Sequence, residues 1–147
     1  DPLGREDKAM TPADQGDRRV AHLDEASAAI PAGEGQPRFA ELLRHGSMSV
    51  ELYAPQGRDL QEPHAQDELY IVATGSAALR IGETIEPLAA GSVAFVRAGE
   101  DHRFEEFSAD FSTWVVFWGP PGGEAAQKQS REEPSEEPSE EPQRRDQ

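Results

Sequence analysis

The chain predicts an all-β domain of the sandwich or barrel kind. Short β-forming runs recur through its middle, from about Val20 to Pro121. Turn signals separate them at intervals of about 8–12 residues, the spacing of a sandwich or barrel. Only one short stretch has helical spacing, Leu23 to Ile30, where Leu23, Ala26 and Ile30 share a face.

The elements follow in order. Phe39 to Leu43 reads as a strand. Ser47 to Tyr53 alternates, with Met48, Val50 and Leu52 on one face. Leu69 to Ala73 is an apolar run of β formers, and Thr74-Gly75-Ser76 turns it into Ala77 to Ile81. Gly82-Glu83 leads to Thr84 to Leu88, and Ala90-Gly91 precedes Ser92 to Val96. Ala98 to Asp101 turns into a strand from His102 to Phe107. The last strand, Ser112 to Trp118, is stopped by Gly119-Pro120-Pro121. Phe95, Phe104, Phe111, Trp114, Phe117 and Trp118 are the aromatic residues expected to fill the barrel or a dimer face.

The domain organisation has three zones. Residues 1–19 are charged, with almost no apolar pattern, and read as a flexible segment within which Met10 is a candidate native start. Residues 20–121 form the β domain. Residues 122–147 carry the repeat Glu132 to Pro142, which buries too little apolar surface to offset its ordering entropy and reads as a disordered acidic tail.

The formal net charge is −15, from 14 basic and 29 acidic residues. Such a chain repels phosphate backbones and anionic lipid, so neither nucleic acid nor membrane is the expected partner. No apolar run is long enough to span a bilayer. The polar N-terminal stretch lacks an apolar signal core, and the expected compartment is the cytoplasm. With no cysteine, disulfides and thiolate metal sites are excluded. No dinucleotide or phosphate-binding glycine loop occurs, and no Ser-His-Asp order.

The densest chemistry lies between Glu62 and Val72. Glu62, His64 and Glu68 stand close in sequence, and His102 follows a second β-like segment. Carboxylate and neutral imidazole are ligands for a borderline divalent ion. Residues two apart on a strand share a face, which would aim Glu62 and His64 at one point. The candidate metal set is Glu62, His64, Glu68 and His102. Two carboxylates and two nitrogens favour Fe(II) or Mn(II), with Zn or Ni as alternatives. Tyr70, two residues after Glu68, is placed to face the same cavity. Arg97 is expected to pair with Glu100 or Asp101 at the surface, and His22 and His45 to be structural or exposed.

Two motifs in this region resemble those of the cupin superfamily. The first family pattern, roughly G-x5-H-x-H-x3/4-E-x6-G, is matched by Gly57, then His64 and Glu68, with Gly75 closing it. The second, G-x5-P-x-G-x2-H-x3-N, is matched by Gly91, Gly99 and His102. Three positions depart from the pattern. Glu62 stands for the first histidine, Arg97 for the proline and Glu106 for the asparagine. The resemblance covers most of Ser47 to Trp118 and implies an antiparallel jelly-roll β-barrel. It also implies that His64, Glu68 and His102 bind a divalent metal inside the barrel. The chemistry it implies is that of a metal-dependent dioxygenase, isomerase or lyase on a small oxygenated metabolite. Glu62 then serves as a ligand or as a general base, with Tyr70 donating a hydrogen bond. The alternative is a non-catalytic member that binds a small molecule or metal as a sensor or accessory protein, because this fold hosts both kinds. Pairing of edge strands and sheet faces, common in such barrels, implies a homodimer.

Overall fold

In this computed structural model residues 18–124 are described. The segments 1–17 and 125–147, with Met10 and the acidic repeat, lie outside the described residues. The chain runs through helix α1 (Leu23–Ala29) and strands β1 (Phe39–His45), β2 (Met48–Tyr53), β3 (Asp67–Thr74), β4 (Ser76–Ile81), β5 (Thr84–Ala89), β6 (Val93–Val96), β7 (His102–Glu105) and β8 (Ser112–Trp118). All pairings are antiparallel. One sheet has the order β1-β2-β8-β3-β6, the other β5-β4-β7. The β-branched and aromatic run Ser112–Trp118 suits a strand paired along both edges, and β8 is the middle of the larger sheet.

Register decides what faces inward. Ser49, Phe117, Glu68 and Val96 form one row across β2, β8, β3 and β6. Glu51, Val115, Tyr70 and Ala94 form the next, and Tyr53, Thr113 and Val72 a third. This face closes on Ala77, Leu79 and Phe104 of the second sheet and on Phe111, giving the barrel core. The opposite face packs Leu52 and Leu42 against Ala26 and Ile30, with Trp114 and Ala73 at the margin.

The alternation expected in β2 is present, but its apolar face looks away from the barrel. Leu52 lies beneath α1, and the residues turned inward are Ser49, Glu51 and Tyr53. Trp114 follows the same logic. Its neighbours Val115 and Phe117 take the interior, so it belongs to the helix-side cluster rather than to the barrel. Phe95 is half exposed, with its ring 6.0 Å from that of Trp118. The strand expected to reach Phe107 ends at Glu105, because Glu106 turns to φ 47°. Gly75 joins β3 to β4 at φ 75°, and a Cβ there would lie 2.7 Å from the Phe111 Cα. The turn therefore needs glycine for space as well as for conformation.

Candidate functional site

The loop 54–66, between β2 and β3, contains no strand residues. A buried carboxylate anchors it. Asp59 is 1% exposed and accepts hydrogen bonds from the Tyr53 hydroxyl (2.5 Å), the Phe104 amide (2.8 Å), and the backbone and side-chain nitrogens of Gln61 (3.1 Å each). These donors compensate for taking the charge out of water. The second proton of the Gln61 amide goes to the Tyr70 hydroxyl at 3.0 Å. That hydroxyl lies 2.9 Å from His102 Nε2, and Glu68 Oε1 lies 2.9 Å from the same nitrogen.

The other ring nitrogen fixes the protonation logic. His102 Nδ1 is 2.8 Å from the carbonyl of Glu100, which only accepts, so Nδ1 carries a proton. Burial by itself lowers the His102 pKa. The hydrogen bonds to Glu68 and to the Glu100 carbonyl, with the charges of Glu68 and Asp59, outweigh burial and raise it above the ordinary 6.5. When His102 is protonated, its Nε2 donates to Glu68. Burial, then the charge and hydrogen bond of Glu68, hold the Tyr70 phenol well above its usual range. Glu68 Oε2 is buried without a hydrogen-bond partner.

The structure thus brings together Glu68, His102 and Tyr70 of the residues singled out in the sequence. Among the described residues no hydrogen bond or ion pair joins His64 or Glu62 to them. The strand begins only at Asp67, so no strand alternation aims Glu62 and His64 at one point. The His64 ring lies over Phe117, centroids 4.4 Å apart, and its carbonyl accepts from the Gly99 amide at 2.7 Å. Glu62 is exposed. Arg97 is exposed too, and the carboxylate of Glu100 takes its backbone amide rather than its guanidinium.

Both Glu62 and His64 border an open cavity of about 960 Å³. Its wall includes Glu51, Tyr53, Gln61 and Phe117, whereas Glu68, Tyr70 and His102 lie behind that wall. Glu51 is the member that sequence reasoning missed. Burial, then the charges of Glu41 and Glu68, push its carboxyl up to about 7. The alternation of β2 carried the signal, since the face opposite Val50 and Leu52 is Ser49, Glu51 and Tyr53. Asp59 and Gln61 had no such signal, because a loop has no period.

Residues 49–117 match the family described as Cupin domain. An uncharacterized protein of Streptomyces coelicolor is 44% identical over 105 residues, covering 70% of this chain and 97% of that protein. The chain belongs to the cupin superfamily. Solved structures agree on the fold. A cupin superfamily protein from Desulfitobacterium hafniense is 20% identical, with 70% of this chain and 94% of that one covered and a TM-score of 0.53. A protein with a double-stranded β-helix domain from Klebsiella pneumoniae is 21% identical, with 71% and 91% covered and a TM-score of 0.57. A Cupin 2 conserved barrel domain protein from Salinispora arenicola is 21% identical, with 69% and 89% covered and a TM-score of 0.54.

In this cupin only two of the four expected metal ligands are seen in contact. Glu68 and His102 meet, and Glu68 Oε2 is free. The Tyr70 hydroxyl lies 2.9 Å from His102 Nε2, the same distance as Glu68 Oε1. Among the described residues no group of three or more His, Asp or Glu side chains is placed to hold an ion, the number that zinc sites of this ligand type use. Likewise, no described helix of this cupin is long and apolar enough to cross a membrane.

Proposed function

We propose that this cupin binds a small organic molecule in the open cavity without a metal ion, as a sensor or accessory protein. The observation that carries this reading is the split between the two halves of the interior. The Glu68–His102 pair is closed off by Tyr70 and Gln61, while the neighbouring cavity keeps a carboxyl, Glu51, among aromatic walls. A volume of about 960 Å³ lies within the range of small-molecule pockets. A metal-dependent enzyme, which the motif resemblance implies, is the competing outcome.

The test is elemental analysis of purified protein, followed by a thermal-shift screen of small aromatic and heteroaromatic compounds with and without EDTA. Stabilisation by ligands that EDTA leaves unchanged, with metal far below one equivalent, supports the proposal. One equivalent of Fe, Mn, Zn or Ni, with turnover lost in Glu68→Ala or His102→Ala, supports the enzyme. We further propose a homodimer formed through β6. Among the described residues this four-residue edge strand pairs only with β3, and it exposes Val93 and Phe95 by 60% and 49%. A second copy offers the same strand and the same uncharged face.

A further inference from the structure

The cavity wall also carries information about the charge of its occupant. Glu51 reaches the interior because β2 turns Ser49, Glu51 and Tyr53 inward. Its register partner on β8 is Val115, which offers no donor, and its charged neighbours are Glu41 and Glu68. Among the described residues no donor or cation pairs with its carboxyl. The group nevertheless borders open space, where an arriving molecule meets it. Buried polar groups in folded proteins are almost always hydrogen-bonded, so a partly buried carboxyl without a protein donor in a cavity wall is open to a donor from an occupant.

The rest of the wall is consistent with one class of partner. Phe117 and Tyr53 supply aromatic rings beside Glu51, and Phe39 stands in the wall at 44% exposure. Aromatic faces attract cations and apolar bodies alike. Glu34 and Glu62 add two exposed carboxylates. The wall also holds two guanidinium groups. Arg38 is spent on the backbone carbonyls of Ala54 (2.9 Å) and Pro31 (3.3 Å). Arg58 is exposed on the loop and is the feature that would favour an anion instead. The formal charge of the whole chain, −15, attracts cations over anions in general.

We propose that the cavity selects organic cations, specifically a primary or secondary ammonium on an aromatic or apolar body, with the ammonium donating to Glu51 and the body against Phe117 and Tyr53. This inference rests on the reading of the cavity as a small-molecule site and adds the class of ligand. The pairing is a charge-assisted hydrogen bond in a partly desolvated site, where such bonds are about twice as strong as neutral ones. An ammonium also restores the charge that burial denies the carboxyl.

Three probes share an indole body and differ in head group: tryptamine, tryptophol and indole-3-acetate. Titration calorimetry or NMR on the full chain gives a dissociation constant for each. The expected result is tryptamine tighter than tryptophol by about tenfold or more, with indole-3-acetate weakest. In Glu51→Gln, which keeps the shape and removes the charge, tryptamine should fall to the level of tryptophol while tryptophol is little changed. Tryptophol or indole-3-acetate binding as tightly as tryptamine overturns the inference and leaves the cavity reading standing. So does an amine preference that survives in Glu51→Gln. If none of the three binds, the small-molecule reading fails, and the charge preference fails with it. The wild-type ranking alone decides the matter should the variant fold poorly.

Discussion

At the scale of single residues, two acids stand out for opposite reasons. Asp59 has four donors, and Glu51 has none among the described residues. Replacing Asp59 by Asn turns one acceptor into a donor facing the Tyr53 hydroxyl, the Phe104 amide or Gln61. The expected cost is about 2–4 kcal/mol, read as a lower midpoint in urea unfolding; an unchanged midpoint would refute the anchoring role. Glu106 gives a prediction of the other sign. It sits at φ 47°, in the left-handed region that asparagine and glycine adopt more readily than glutamate, and it stands where the motif usually has asparagine. Glu106→Asn or Glu106→Gly should therefore stabilise the protein, by up to about 1 kcal/mol. A thermal midpoint that falls in both variants would show that the Glu106 side chain contributes something the backbone argument omits.

At the scale of elements, the strands were readable because turns punctuate them and because β formers fill the runs between. Gly75 shows how firmly one of those turns is specified. A Cβ at this φ of 75° meets the Ser108 Oγ, the Phe111 Cα and the Asp110 Oδ1, so Gly75→Ala should cost about 2 kcal/mol or more. Which face of β2 looks inward was not readable, since alternation gives the two faces but not their partners. The apolar face went to α1, and the polar face with Tyr53 went to the barrel. The meeting of Glu68 with His102 was readable from the motif spacing, because β3 and β7 are regular elements. The positions of Glu62 and His64 were not, because their segment is loop and is placed by Asp59 and by the Gly99 amide. The edge strand β6 carries its own test. Light scattering at tens of micromolar should give a dimer that Phe95→Glu converts to a monomer, and a monomeric wild type contradicts the proposed pairing.

At the scale of the whole molecule, the interior ionisations tie stability to pH. Glu51 titrates at about 7 when folded against 4.5 when unfolded, so between these values the folded chain binds the extra proton. His102 is likewise raised above 6.5 in the fold. Both groups therefore contribute stability at lower pH that is lost as pH rises, through about 4.5–7 for Glu51 and then through the folded pKa of His102. For Glu51 the loss is about 2 kcal/mol once the cavity-facing part of the carboxyl is allowed for. The thermal midpoint should fall between pH 5 and pH 8, and Glu51→Gln should flatten the lower part of that slope. The central claim, that the open cavity and not the closed Glu68–His102 pair receives the ligand, and does so without metal, has a direct test. It is the map of backbone amide NMR shifts on adding tryptamine to EDTA-treated protein. The account predicts shifts concentrated at Glu51, Tyr53, Gln61 to His64 and Phe117, unchanged when divalent metal is restored. Shifts that appear only with metal, and that centre on Glu68 and His102, would contradict it.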